Sequence, residues 1–413
     1  MKRRKRVSIA IVLAFVFLLL SYWVTNMNVP ISGEKALLAE WEFLREYICP
    51  HRITVIDSVL FVNVTYDKEL RPINDENGMV IGTTDITDRK KLLKMLRYLK
   101  EQNNYKYILL DVFFANNVST EYDKELFSLI DSMPRIVIPC HSDEKIADKR
   151  LRRKAALAEY QTTHSESDFV KYPYMSQDEV SIPVKMYEDI SGNKINRFGM
   201  FYIEGWHLVR CNIVLTFDLL ANKWDSDKNE KIWYNLGSDL LGDSIMGTKE
   251  IGNSLLYEVP ELTNNKYIVV GAFHGDDTHS TFVGDLSGAV INYNAFVSLI
   301  RGRHIVSFSF LLVMFINFFV MSYVALGRYT LREQLFTLKK YTKNKYLQGF
   351  VTIFEKIPVW FNYSFIISVF CIISYVVFNE VYDILITATL FWGLNYFIKF
   401  YDYSKKYILW RKK

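Results

Sequence analysis

Tyr107–Phe114 reads YILLDVFF, an almost unbroken apolar run with one acid, Asp111, set inside it. A strand with one wet face alternates apolar and polar side chains, whereas a strand covered on both faces does not. The run therefore predicts a central strand of a parallel sheet. Working outward, residues 88–102 (DRKKLLKMLRYLKEQ) place Leu92, Leu93, Leu96 and Leu99 at helical spacing, with Asp85 or Thr87 available as N-cap. Upstream, His51–Leu60 carries the β-branched positions Ile53, Val55, Ile56 and Val59 of a first strand. Downstream, Tyr122–Ser132 reads as a short helix and Arg135–Pro139 (RIVIP) as a third strand. The alternation of strand and helix predicts right-handed crossovers and an α/β domain with a largely parallel, mixed sheet. Lys266–Phe273 (KYIVVGAF) adds a strong central strand. Ala289–Ile300 (AVINYNAFVSLI) follows as an amphipathic helix. The charged stretch 141–180, with a helix at Ala147–Tyr160, reads as an insertion over the sheet.

Beyond this domain the apolar residues gather in blocks. The chain has 413 residues, 50% of them apolar and 23% charged. Val7–Thr25 holds no charge over 19 residues, close to the ~20 needed to cross a bilayer. An uncleaved anchor is expected rather than a signal peptide, because Tyr22 and Trp23 stand where small residues would mark a cleavage site. Three further membrane spans are expected at 305–326, 359–378 and 381–398, giving four transmembrane helices in all. Outside residues 26–304 there are 18 basic residues, all in segment 1–6, loop 327–358 or tail 399–413, and none in the turn 379–383. This asymmetry predicts that both termini are cytoplasmic and that 26–304 lies outside. A bacterial inner membrane is the expected setting, with the large domain in the periplasm. The 26–304 region has 32 basic and 40 acidic residues, a net charge of −8, which argues against nucleic acid as its partner.

Cys49, Cys140, Cys211 and Cys371 contain no C-x-x-C pair, and the three central ones allow at most one disulfide. The chain also lacks G-x-S-x-G, H-E-x-x-H, P-loop and G-x-G-x-x-G patterns, so no cofactor and no catalytic residue is assigned. One dense polar cluster remains, HGDDTH, with His274, Asp276, Asp277 and His279. Its imidazoles and carboxylates are suitable metal ligands, and His274, Asp276 and His279 are the candidates. The favoured reading of the same residues is a solvated loop capping the next helix. Ligands of α/β sheets lie at the carboxyl ends of strands, so Asp57, Asp111, Asp276, Asp277 and His279 form a candidate ligand site. The basic loop carries Leu331, Leu335, Phe336 and Leu338, which would suit an amphipathic helix on anionic lipid or on a partner, or else only set topology.

Several of these pieces resemble the second family of CHASE sensor domains, the extracellular sensory domains associated with cyclases and histidine kinases. They are ITVID (Ile53–Asp57), the buried strand with Asp111, the Asp123–Leu126 turn, and the block from Ile268 to Ile305 with its Asn294–Ala295 pair. The chain departs from the family pattern in having Ser280-Thr281-Phe282 after His279, and in ending at Lys413 without a kinase or cyclase domain. The resemblance implies a membrane-anchored sensor or accessory protein. It would bind an unknown extracytoplasmic ligand or envelope partner and signal by contact with a separate cytoplasmic or membrane protein, as a monomer or a homodimer. Arg301-Gly302-Arg303 would then couple the domain to the following helix. Two other readings stand beside it: an extracytoplasmic metal-assisted hydrolase, and a structural subunit of a membrane complex.

Overall fold

The computed structural model of the chain describes residues 3–26, 58–74, 79–141, 148–158, 171–176, 179–199, 201–214, 233–242, 254–274, 277–281 and 284–326, with isolated positions elsewhere. It divides into two compact units. One comprises Met1–Met27, Arg197–Val209 and Ile305–Lys413, and the other Asn28–Asn196 and Arg210–His304.

The second unit is the α/β domain. Its strands in chain order begin with β1 (Val59–Asn63), the hairpin strands β2 (Lys68–Asn74) and β3 (Val80–Thr87), and β4 (Tyr107–Leu110). Next come β5 (Ile136–Cys140), β6 (Ala155–Leu157) and the short β7 (Lys171–Pro173), β8 (Met175–Ser176) and β9 (Glu179–Val180). Interposed in the chain, and belonging from Arg197 onward to the first unit, is a three-stranded sheet of β10 (Ile195–Phe198), β11 (Phe201–Glu204) and β12 (His207–Val209). The last strands are β13 (Asn212–Val214), which pairs with β7, then β14 (Tyr234–Asn235), β15 (Tyr267–Gly271), β16 (Thr278–Thr281) and β17 (Gly284–Ser287).

The main sheet has the order β14-β1-β15-β4-β5-β6, and every pairing in it is parallel. Its inner strands are apolar, apart from Asn63 at the end of β1, because both faces are covered. Leu60, Val62, Ile108, Leu110, Ile136, Ile138, Ile268 and Val270 share one core with the helices Arg89–Gln102 and Asp123–Ser132. On the opposite face, the rings of Phe61 and Tyr267 meet Tyr293 and Phe296 of the helix Gly288–Ile300. The Arg89–Gln102 helix starts where the Asp88 carboxylate accepts from the Lys91 backbone N–H. It ends at Asn103, whose φ of 45° is left-handed.

The central strands predicted from the sequence are present, with revised bounds, in a main sheet that is parallel rather than mixed. β1 begins at Val59, and residues 51–57 of the expected first strand lie outside the described residues. β4 leaves the sheet at Leu110, so Asp111 stands just past its end. The helix expected over 147–160 is a single turn, Lys149–Arg152, followed by β6. Pairing of Ala155–Leu157 with β5 outweighs the helical preference of its alanines. The helix expected over Ala289–Ile300 runs Gly288–Ile300 and is not amphipathic: Gly288 to Leu299 are all buried, because the helix lies between β15 and the helix Ile182–Ser191.

In the first unit, the helices Arg3–Thr25 and Phe308–Ala325 run antiparallel. Phe15 meets Phe315 with centroids 4.8 Å apart, and Arg6 donates to the carbonyl of Tyr323 near the end of the second helix. Ala10 and Ala14 form the small-residue face at this contact and are fully buried. The outer faces are apolar and exposed at Ile11, Val12, Phe15, Val16 and Leu19 on one helix, and at Phe308, Leu312, Ile316 and Val320 on the other.

The expectation of four transmembrane helices is corrected here. Among the described residues one helix, Arg4–Trp23, is long and apolar enough to cross a bilayer. The expected span at 305–326 is shortened from its start, because Ile305 bridges to Val209 and Val306 donates to Leu208, so the helix begins only at Phe308 and covers 18 residues, Phe308–Ala325. That falls short of ~20 residues. The expected spans 359–378 and 381–398 lie outside the described residues.

Gly271 closes β15 where the sheet, the helix and Asp111 converge. A Cβ built there would meet the Ala289 Cβ at 2.6 Å and the Asp111 Cβ at 3.5 Å. Gly271→Ala is therefore expected to lower stability by about 1–3 kcal/mol through overpacking. Chemical denaturation of the full-length protein in detergent checks this, and an unchanged midpoint would mean that the helix has room to retreat.

Candidate functional site

All six strands of the main sheet point the same way, so their carboxyl ends share one edge. At that edge β4 gives way to Asp111, held in place by its own N–H donating to the Val270 carbonyl at 2.8 Å. The side chain reaches back under the sheet's edge. Asn292 Nδ2, on the buried helix, donates to Asp111 Oδ2 at 3.3 Å. Tyr172 Oη, on β7, donates to Asn292 Oδ1 at 2.6 Å. Both Tyr172 and Asn292 are completely buried, and burial pushes the Tyr172 phenol well above its usual range.

The opposite wall comes from the β16–β17 hairpin. Asp277 precedes it, and the Asp277 carbonyl accepts from the Gly288 N–H at 3.1 Å, tying the hairpin to the start of the helix. His279 Nε2 lies 3.5 Å from Asp277 Oδ1. Asp111 responds to all of this: its pKa is pushed up to about 7. Desolvation is the main cause, and repulsion from Asp277 adds to it. The Asn292 hydrogen bond and the nearby His279 pull in the opposite direction. A carboxyl with such a value donates a hydrogen bond below neutrality and carries charge above it.

Beside these groups is a cavity of about 460 Å³. Its floor is the carboxyl ends of the sheet, with Val64, Asp111, Val112, Phe113, Pro139, His141 and Ala272. Its roof is the β2–β3 hairpin, through Lys68, Ile73 and Thr84–Thr87. Asp85, Asp111 and Asp277 supply three carboxyl groups to the lining against one ammonium, that of Lys68.

The candidate residues from the sequence divide accordingly. Asp111, Asp277 and His279 come together, while Asp57 and Asp276 lie outside the described residues. His274 is exposed and turned to Trp233, ring centroids 4.8 Å apart, rather than to the cavity. Among the described residues no three His, Cys, Asp or Glu side chains are grouped to hold a metal ion. Arg301, Gly302 and Arg303 build a helix-ending turn. The N–H groups of Gly302 and Arg303 donate to the carbonyls of Leu299 and Ser298, with Gly302 at a left-handed φ of 69°. Sequence reasoning missed Tyr172, Asn292 and the hairpin roof. Asn292 had left a signal, an amide inside the otherwise apolar AVINYNAFVSLI.

No family model, curated protein or solved structure matches this chain.

The pH dependence follows from Asp111. Its native pKa is raised above the unfolded carboxyl range near 4, so between about pH 4 and 7 the native state holds more protons than the unfolded one. Stability contributed by neutral Asp111 is therefore present at low pH and lost as pH rises through 7. Asp111→Asn, which keeps a neutral acceptor for Asn292, is expected to gain thermal stability relative to the unsubstituted protein between pH 5 and pH 7.5. Parallel melting curves for the two proteins across that range would show a constant gap if Asp111 were not strained by burial.

Proposed function

We propose that this chain is a membrane-anchored ligand-binding protein of the sensor or accessory class. Its α/β domain takes a small polar molecule bearing a positive charge. The observation that carries the reading is the cavity at the carboxyl edge of the sheet, lined by Asp111 and Asp277, where burial first, and repulsion from Asp277 after it, raise the Asp111 pKa. A ligand ammonium or guanidinium between them replaces that repulsion with two charge-assisted hydrogen bonds, and ionises Asp111. The apolar wall of Val64, Ile86, Phe113 and Val118 would cover the ligand's carbon skeleton. The Asn292–Tyr172 relay fixes the Asp111 carboxyl before binding, which reduces the ordering cost on association.

The resemblance to the second CHASE family supports the sensor reading from a different direction. So does the N-terminal helix. Its basic start, Arg3-Arg4-Lys5-Arg6, favours a cytoplasmic N-terminus, with the α/β domain on the far side of the membrane. In this reading the chain performs no turnover of its own, and its output passes by contact to another protein. The route leads along the helix carrying Asn292, which runs on through the Gly302 turn to Ile305.

The test is a thermal-shift panel on purified protein with primary amines, amino acids, guanidino compounds and matched carboxylic acids. Cationic compounds are expected to raise the melting temperature and to release protons on binding near pH 6. The Asp111→Asn, Asp277→Asn double variant is expected to lose both effects. Stabilisation by anionic compounds alone, or an undiminished response in the double variant, would overturn the assignment.

A further inference from the structure

Trp206 is fully exposed, with a relative accessibility of 101%, at the turn between β11 and β12. Phe198, 72% exposed, closes β10 just before the turn into β11. Large aromatic side chains left in water like this mark a surface that has something to meet. The rest of the first unit indicates what that is.

The β11–β12 hairpin is bound to the carboxyl end of the apolar Arg3–Thr25 helix. The Tyr22 hydroxyl donates to the Val209 carbonyl at 2.7 Å and accepts from the Tyr202 N–H at 3.1 Å, while its ring stacks on Phe201 at 5.5 Å. The same hairpin also holds the start of the second apolar helix, since Val209 bridges to Ile305 and Leu208 accepts from Val306. Trp23 and Phe308, exposed at the two adjoining helix ends, complete a set of four exposed aromatics with Phe198 and Trp206. The hairpin register runs from Tyr202↔Val209 to Glu204↔His207, which directly flanks the Gly205–Trp206 turn, so Tyr202 and Val209 each lie three residues from the turn. At ~3.3 Å per residue, the Trp206 turn therefore stays within about 10 Å of the Tyr22 level. Headgroup layers are several ångströms deep on each side of a ~30 Å hydrocarbon core. Tryptophan and tyrosine concentrate there because their rings are apolar at one end and hydrogen-bonding at the other. Exposed Arg197 and His207 flank the two turns and would suit phosphate groups.

We propose that the β10–β12 sheet is an interfacial platform, which sets Trp206 and Phe198 into the headgroup layer of the bilayer crossed by the Arg3–Thr25 helix. The inference rests on the reading of that helix as a membrane anchor. The platform fixes how far the helix end emerges and stops the helix from turning about its own axis. A single apolar helix does neither.

The experiment uses full-length protein in phosphatidylcholine–phosphatidylglycerol liposomes. Flotation after alkaline carbonate washing tests the anchor by itself, and a protein left at the bottom of the gradient would remove the anchor and this inference together. With floated protein, tryptophan emission is compared between the unsubstituted chain and Trp206→Phe, in liposomes with and without brominated acyl chains. The component lost in Trp206→Phe is expected to be blue-shifted, to fall with brominated lipid and to resist aqueous iodide. A Phe198→Trp variant is expected to add a second component with the same behaviour. Quenching of the Trp206 component by iodide alone would put the turn in water. Quenching by neither agent would mean that protein covers it. Either result in floated protein would overturn the platform while leaving the anchor standing. Trp206 packs against nothing, so matching melting curves for Trp206→Phe and the unsubstituted chain are the check on folding.

Discussion

The contact between Gly271 and Ala289 sets the distance on which the rest of the α/β unit depends. With no side chain at Gly271, the Gly288–Ile300 helix settles directly onto β15. One turn further along the helix, that depth brings the Asn292 amide within reach of Asp111. A helix held even a methyl group farther out would leave a carboxyl and an amide buried without each other, a costly arrangement in a low-dielectric interior. Packing and polar chemistry are thus one constraint here. The same approach covers the lower face of the sheet with aromatic rings and builds the relay that ends at the cavity.

Asp111 illustrates how strain is held at a useful place. The sheet needs β4 to be apolar, and it is so until Leu110; the acid comes one residue later, where the strand has just ended. It is covered enough to resist ionisation and near enough to Asp277 to be repelled by it. The domain tolerates this because the surrounding core is large. Some two dozen apolar side chains on one face of the sheet alone can offset a single uncomfortable carboxyl.

The fold was legible in the sequence wherever burial is continuous. YILL, IVI and YIVV have no polar position to mislead, and the Leu92–Leu99 stripe has helical spacing. What escaped was structure defined by partners far along the chain. β6 reads locally as helix, and only its pairing with β5 makes it a strand. The β2–β3 hairpin has Pro72 within it and pairs only with itself, so it lacks the apolar signature of a core strand. In the site, Asp111 was visible as an acid interrupting an apolar run, and Asp277 and His279 as a dense polar cluster. Tyr172 was not visible, because its partner Asn292 is 120 residues away. The apolar block at 305–326 was misjudged for the opposite reason. Hydropathy measures composition, and it does not register that Ile305 and Val306 are drawn into strand pairing before the helix begins.

The division into units is not collinear with the chain. Arg197–Val209 lies in sequence inside the α/β unit but belongs with the two apolar helices, so the polypeptide passes between the units at residues 27–28, 196–197, 209–210 and 304–305. No contiguous fragment contains either unit by itself. A truncation that removes both helices to obtain the α/β unit alone would carry the β11–β12 hairpin without Tyr22 and without the residues after His304 that grip it. It would release a short ribbon with Trp206 at its tip and Phe201 uncovered. Such a fragment would tend to self-associate for reasons unrelated to the intact protein. The way to isolate the α/β unit is to excise 197–209 as well and rejoin its ends with a short polar linker, treating the hairpin as an insertion that the helical unit has placed in its neighbour's sequence.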